Sequence, residues 1–391
     1  MLRVAMVAYT YYASDPRVRR EAECLAERGD RVDFYCLRAP GEPARETVRG
    51  VTVRHLPMAR YRGGSSLVYV LGYLRFFLLA QAALTWQHLR RRYDLVHANN
   101  MPDFMAFTGF WPRVTGRALI LDIHDTMPEI YQGKFGAGPG HPLIRILRFQ
   151  ERVSGAFASH VLTSEHTKKE ALAAHGLDPG RIDVLLNVPD PAIFGNGAGP
   201  PAEPEAGFRL VFHGTLAPRL GLDLALRAVA RLEGAIDGLR LDIIGDGDHR
   251  PELLRLAAEL GIEDRVRFSD GFVPVEELPA MLRGADLAVI PTRPEISTRY
   301  MLPTKLLEYA LLGIPAVVAP THTIRHYFDE DQVAFFEPGD AASLAETILA
   351  LHRDPERRRR LAAGAARFFE RYDWNRHKRV YLDLVDRLCA S

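Results

Sequence analysis

The stretch Leu302-Pro303-Thr304-Lys305-Leu306-Leu307-Glu308-Tyr309-Ala310-Leu311-Leu312-Gly313-Ile314-Pro315 runs directly into Ala316-Val317-Val318-Ala319. Pro303 sets up a helix start, Gly313-Ile314-Pro315 stops it, and the Val-rich run behind reads as a strand buried on both faces. The same alternation of short apolar runs and longer amphipathic segments continues on the N-terminal side, with strands expected at 209–212, 239–244, 266–268 and 287–290 and helices at 222–232 and 251–260. It recurs near the start of the chain as strand 3–9, a helix over 16–28 ended by Gly29, strand 31–37 and later strands at 94–98 and 118–123. Alternation of this kind specifies parallel sheets covered by helices, an α/β fold of the doubly wound type. Between the two blocks, residues 195–207 hold almost no large apolar side chain and read as a solvated linker. Two Rossmann-like domains facing across a cleft are expected, and such a cleft is a favoured ligand site.

Length and composition agree. A chain of 391 residues exceeds one ordinary core. Lys plus Arg (50) nearly balance Asp plus Glu (49), so at a net charge of +1 no global field recruits nucleic acid, and any polyanion site must be local. The 25% charged and 47% hydrophobic shares are those of a soluble globular chain, and a cytoplasmic location is the expectation. Cys24, Cys36 and Cys389 lie too far apart in sequence for a zinc or disulfide pattern to be read.

On the 302–315 helix, Lys305 and Glu308 stand three residues apart near the N-terminus and share a face. A helix N-terminus with an added lysine suits phosphate oxygens, and a carboxylate one turn on suits two ribose hydroxyls. A capped surface helix with an ordinary Lys/Glu pair fits the spacing equally well. Gly245-Asp246-Gly247 is a tight turn after a strand, but no full dinucleotide fingerprint or Walker lysine motif is present, which argues against nicotinamide, flavin and ATP-hydrolysing enzymes. His124-Asp125 follows an apolar strand, at the end where open α/β sheets bind ligands. For His97 and Asn99-Asn100, structural and functional roles are equally open.

The pattern Pro-x-Lys-x-x-Glu-Tyr-x-x-x-Gly-x-Pro resembles the nucleotide-sugar motif of family-4 glycosyltransferases, retaining enzymes of the GT-B fold. The resemblance extends in order through Ser14-Asp15-Pro16-Arg17, Asp94-Leu95-Val96-His97, Leu121-Asp122-Ile123-His124-Asp125 with Pro128-Glu129, Phe212-His213-Gly214-Thr215-Leu216, and Gly271-Phe272-Val273-Pro274. It implies domains at 1–194 and 208–371, with residues 372–391 as a helix packing back on the first. It also implies a metal-independent transfer from a nucleotide-diphosphate sugar, with no cofactor, to a glycan, lipid-linked or small-molecule acceptor. His124, Arg219 and Lys305 would be catalytic. Gly214, Thr215, Arg219, Gly245, Phe272, Val273, Tyr300, Thr304, Lys305 and Glu308 would hold the donor, and Tyr11, Arg17, His97, Asp125 and Glu129 would line the acceptor side.

Two positions depart from the family pattern. Tyr300 stands eight places before Glu308 where relatives carry a Glu, leaving Glu295 as a substitute contact to the sugar. The usual Gly-Arg and following Lys are Gly214-Thr215 and Leu220, so Arg219 and Lys305 are the cations left to take over the diphosphate charge. A nucleotide-sugar epimerase or hydrolase, or a non-catalytic binder, on the same architecture are the alternatives.

The segment 65–92 is apolar, with Arg75 inside it and Arg90-Arg91-Arg92 behind it. Two readings stand: a core helix apolar all round with Arg75 facing solvent, or a helix lying in a bilayer interface as a peripheral contact at the inner membrane face.

Overall fold

The computed structural model describes residues 1–61, 66–195 and 207–390. Most of the expected linker, residues 196–206, lies outside them, as does Ser65. The chain divides into two compact units, Met1–Asn187 with Asn375–Ser391, and Val188–Trp374. The division at Asn187 and Val188 falls earlier than the expected 194. The chain changes unit where buried Val188 and Phe194 join the second one, ahead of the Gly- and Pro-rich run. Asn375–Ser391, most of the Trp374–Ala390 helix, belongs to the first unit.

In the first unit the strands are β1 (Arg3–Val7), β2 (Arg31–Leu37), β3 (Arg45–Val48), β4 (Val51–Leu56), β5 (Leu95–Asn99), β6 (Ala118–Ile123), β7 (His160–Thr163) and β8 (Ile182–Val184). They form one sheet in the order β3-β4-β2-β1-β5-β6-β7-β8, parallel except for the β3/β4 edge hairpin. The second unit carries β9 (Phe208–His213), β10 (Leu239–Ile244), β11 (Val266–Phe268), β12 (Leu287–Ile290), β13 (Ala316–Val318) and β14 (Ala334–Phe335) in the parallel order β11-β10-β9-β12-β13-β14. In both sheets the order reverses beside the first strand, which opens a crevice at its carboxyl end. The interior strands are buried along nearly their whole length, which is why they read as continuous apolar runs.

Backbone packs on backbone at the carboxyl end of β9. Gly245 has φ +135°, and a Cβ there would sit 2.1 Å from the Gly214 carbonyl oxygen. Only glycine fits both the dihedral and the contact. Gly245→Ala is therefore expected to lower stability by roughly 1–3 kcal/mol in chemical denaturation. An unchanged midpoint would mean that the two turns part freely.

Candidate active site

In the second unit, the helix Thr304–Leu311 brings Lys305 and Glu308 to the carboxyl end of β9. Gly214 has φ +110° and no side chain, which leaves room for Lys305: a Cβ on Gly214 would lie 3.3 Å from both Cε and Nζ of the lysine. The Lys305 ammonium sits 4.0 Å from the centroid of the Phe212 ring, a cation–π contact. Burial pulls its pKa down to about 7, and Arg219 pushes in the same direction while Glu308 opposes both. Arg219 itself is exposed on the short turn Pro218–Leu220, close enough for its charge to be felt at Lys305. Leu220, at the position of the family lysine, is buried among the core residues of this unit.

Glu308 is hydrogen-bonded to His213, the last residue of β9. The Tyr309 hydroxyl accepts the His213 backbone N–H at 2.9 Å and lies 2.8 Å from His213 Nδ1. Burial raises the Tyr309 pKa well above its ordinary value, so its proton stays in place for donation to Nδ1. His213 then presents Nε2–H to the Glu308 carboxylate, and one oxygen of Glu308 is held while the side chain stays partly open. Sequence reading quoted His213 but gave it no role. Its spacing to Tyr309 is non-local, and only the register of β9 against the helix reveals it.

Thr215 and Thr304 are exposed beside this notch, and Phe272 is 76% exposed next to half-buried Val273. Tyr300 packs edge-on against His322 at 6.1 Å and beneath the Arg299 guanidinium at 5.7 Å. Glu295, the expected substitute, follows a segment held to the Arg219 turn, where the Arg293 N–H bonds the Arg219 carbonyl at 2.9 Å. Glu295 lines a groove of about 300 Å³ with Pro218, Asp223, His249 and Arg293, in which Arg293 makes a two-fold ion pair with Asp223.

In the first unit, His124 follows β6 and is buried, with Nε2 2.5 Å from Asp122 Oδ2. Burial and the Arg17 guanidinium hold its pKa below the ordinary value, so the ring is neutral near pH 7. Asp122 is pushed up by burial, but the His124 and His97 rings more than offset this and hold the carboxyl well below its usual range. Nε2 therefore donates to Asp122, and the lone pair of Nδ1 remains for a ligand. The loop is clamped from below: Asn100 Oδ1 accepts the His124 N–H at 3.0 Å, Asn100 Nδ2 donates to the Asp125 carbonyl at 2.6 Å, and buried Lys168 donates to the His124 carbonyl. Asp125 is exposed at the tip, while Arg17 is half-buried with Asp15 at 3.3 Å and Tyr11 accepts the Arg60 N–H at 2.9 Å.

Two expected acceptor-side residues are corrected. His97 is fully buried beneath this loop, with Nδ1 2.8 Å from the Tyr381 hydroxyl and Nε2 3.7 Å from Asp122. It supports Asp122 because β5 places it inside the sheet rather than beyond its end. Glu129 is buried, with Oε1 3.2 Å from His175, which also binds Glu151 at 2.7 Å, so its carboxylate is withdrawn from the surface. Among the described residues, Glu21, His97 and Asp122 are the one set with metal-ligand geometry, their atoms within 4.8 Å of one another. Asp122 already serves His124 there, and Arg17 adds a positive charge.

The two sheets and the notch on the second define a glycosyltransferase of the GT-B fold, and the comparisons agree. The family model "Glycosyl transferase 4-like domain" matches residues 14–187 and "Glycosyl transferases group 1" matches residues 199–368. A D-inositol 3-phosphate glycosyltransferase of Thermomonospora curvata is 29% identical, over 95% of this chain and 90% of that protein. In fold, the chain is similar to a sucrose-phosphate synthase of Thermosynechococcus elongatus, at TM-score 0.80, 18% identity and full coverage of both chains. It is also similar to Anabaena HepE in complex with UDP-glucose, at TM-score 0.72 and 17% identity, over 99% of this chain and all of that one. The chain belongs to the family-4-like, group 1 glycosyltransferases.

Lys305 yields a pH prediction. Its folded pKa of about 7 lies below the ordinary lysine value, so the cost of burying the ammonium is complete below pH 7 and is relieved as pH climbs toward 10. Lys305→Met removes that cost. Its stability relative to the unaltered protein should be greatest at pH 6 to 7 and should decline steadily toward pH 10 in denaturant titrations. A pH-independent difference would mean that the ammonium is solvated.

Proposed function

We propose that the protein is a retaining, metal-independent glycosyltransferase that moves a sugar from a nucleotide-diphosphate donor to an acceptor hydroxyl in the cytoplasm. The observation that carries the reading is the notch where Lys305 and Glu308 meet the Gly214 turn. Its glycines let a ligand approach the backbone, its lysine is buried without a direct carboxylate partner among the described residues, and its glutamate has an oxygen to spare. Relatives with UDP-glucose bound support a nucleotide sugar as the donor class. The acceptor class is a glycan, a lipid-linked sugar or a small polyol.

In this reading Glu308 binds the ribose, with His213 orienting its carboxylate. The diphosphate lies against Lys305 and Arg219. As the bond from the anomeric carbon to the diphosphate breaks, negative charge grows on the departing phosphate oxygen, and two cations fixed in place stabilise it without reorganisation. A lysine with a pKa near 7 is well suited to this, since a bound diphosphate raises the pKa and draws in a proton. His124, neutral and anchored by Asp122, offers Nδ1 to a sugar hydroxyl.

Glu308→Ala should weaken nucleotide-sugar binding by about 1.5–3 kcal/mol, roughly 10- to 100-fold, while the fold is retained. Arg219→Ala should reduce turnover more than it reduces nucleoside binding. Proton NMR of the first product should show the donor's anomeric configuration, and excess chelator should leave the rate unchanged. An inverted product or a chelator-sensitive rate would refute the respective part of the mechanism, and donor turnover without acceptor would favour a hydrolase.

A further inference from the structure

The helix Ser66–Arg90 is not the core helix that its composition allows. Phe76, Ala80, Leu84 and His88 bury one face against the first sheet, with Phe76 5.2 Å from Tyr9. Yet only 17% of its most apolar stretch is buried. Leu67, Leu71, Leu74, Leu78, Trp86 and Leu89 recur at helical spacing along the opposite face, with Leu71 53% and Leu78 61% exposed. Such a stripe, running about 33 Å, is far more apolar than a solvated helix surface. The neighbouring helix Phe110–Val114 also exposes Trp111 and Val114, and it is tied to the long helix by the 3.1 Å contact of His88 Nε2 with Thr115 Oγ1.

At the C-terminal end of this stripe lies a cavity of about 740 Å³, at the amino ends of β1 and β2 and so at the opposite edge of the sheet from His124. Trp86, Arg90 and Arg91 line it from the helix, and Arg3, Arg31, Arg45 and Arg54 from the strands. Only Asp30 and Asp33 bring negative charge, and each is already engaged, Asp30 by Arg28 at 2.5 Å and Asp33 by Arg54 at 2.7 Å. Among the described residues, Arg31, Arg45 and Arg91 have no carboxylate within ion-pair distance. The Arg90 guanidinium stacks 4.0 Å over the Trp86 ring, so an aromatic residue and a cation stand together where the apolar face ends.

We propose that this surface docks the protein on an anionic lipid bilayer, with the leucine stripe and Trp111 sunk into the interface and the arginine cavity receiving phosphate headgroups. A helix with Phe76, Ala80 and Leu84 locked in the core cannot leave to span the membrane, so it lies along it. Arg75, on the edge of the exposed face, bonds the Pro57 carbonyl at 3.4 Å and has the reach to snorkel to the headgroups. The near-zero net charge of the whole chain makes attraction depend on this one cavity. The docking surface is separate from the residues read as handling the donor, so it stands or falls independently of the proposed reaction.

The test is flotation of the full chain with vesicles of phosphatidylcholine, with and without phosphatidylglycerol, at low and high salt. The protein should float with the anionic vesicles at low salt and about ten-fold less with neutral ones. Leu71→Glu with Leu78→Glu, and separately Arg31→Glu with Arg91→Glu, should each abolish flotation while nucleotide-sugar binding by the same samples is kept. Protein that stays unbound with both vesicle types overturns the proposal. Equal binding to neutral vesicles, or binding that survives the arginine changes, removes the headgroup cavity from it. A dimer in sedimentation that is lost in the leucine variant, without flotation, assigns the face to a second copy of the chain instead.

Discussion

The second unit is organised around an ammonium group taken out of water. Lys305 is buried against Phe212 in a notch that exists because Gly214 and Gly245 have no side chains. Burial alone would expel such a charge, and the lowered pKa records how close the balance is. No carboxylate is spent on neutralising it, since Glu308 is turned to His213 and His213 is fixed by Tyr309. An arrangement that keeps a cation desolvated and only weakly compensated costs stability in the empty protein and returns it when an anion arrives. The strand order, the tight turn after β10 and the helix start at Thr304 all serve to deliver that one group to the end of β9.

The first unit solves the reverse problem. His124 must be held without becoming charged, and it is placed between a guanidinium that disfavours its proton and a carboxylate that accepts its N–H. His97 stands behind Asp122 and helps to hold its carboxyl below the usual range, and His97 Nδ1 is bonded in turn to Tyr381. Asn100, just beyond β5, and Lys168, on the helix His166–Ala174 that follows β7, fix the backbone of the same loop. Each member of the chain of contacts is buried, so each would be costly alone, and the contacts among them offset part of that cost together.

Much of this was legible in residue order, and the illegible part has a common cause. The two sheets, the helix at 304–311 and the placement of His124 beyond a strand follow from periodicity and from glycine and proline stops, which are local signals. The partners of buried polar groups are not local. His213 with Glu308, Glu129 with His175 and His97 with Tyr381 are separated by dozens to hundreds of residues, and nothing in their spacing announces them. Glu295 is offered for the carboxylate missing at Tyr300 by proximity in sequence alone, whereas the contacts that hold its loop, Arg293 with Asp223 and with the Arg219 carbonyl, are non-local. Burial of the 66–90 helix was equally beyond reach, because a helix apolar on every face gives no amphipathic signal to say which side meets the core.

The Trp374–Ala390 helix shows why the division between units is not a division of labour along the chain. The polypeptide leaves the first unit at Asn187, builds the second, and returns with Asn375–Ser391. The returning helix is fastened by Arg28 to Asp386 at 2.7 Å and by Lys378 to Glu27 at 2.6 Å, exposed pairs that add little energy but set its register. That register is what carries Tyr381 to His97, with both side chains fully buried. The buried surroundings of Asp122, the anchor of His124, therefore include a residue made after the whole second unit. The helix Pro16–Glu27 contributes Arg17 and Glu21 to the same cluster from the other end of the chain. A strand-end loop is in physical terms closed by segments from both ends of the chain, Arg17 acting on His124 from one and Tyr381 bonding His97 from the other.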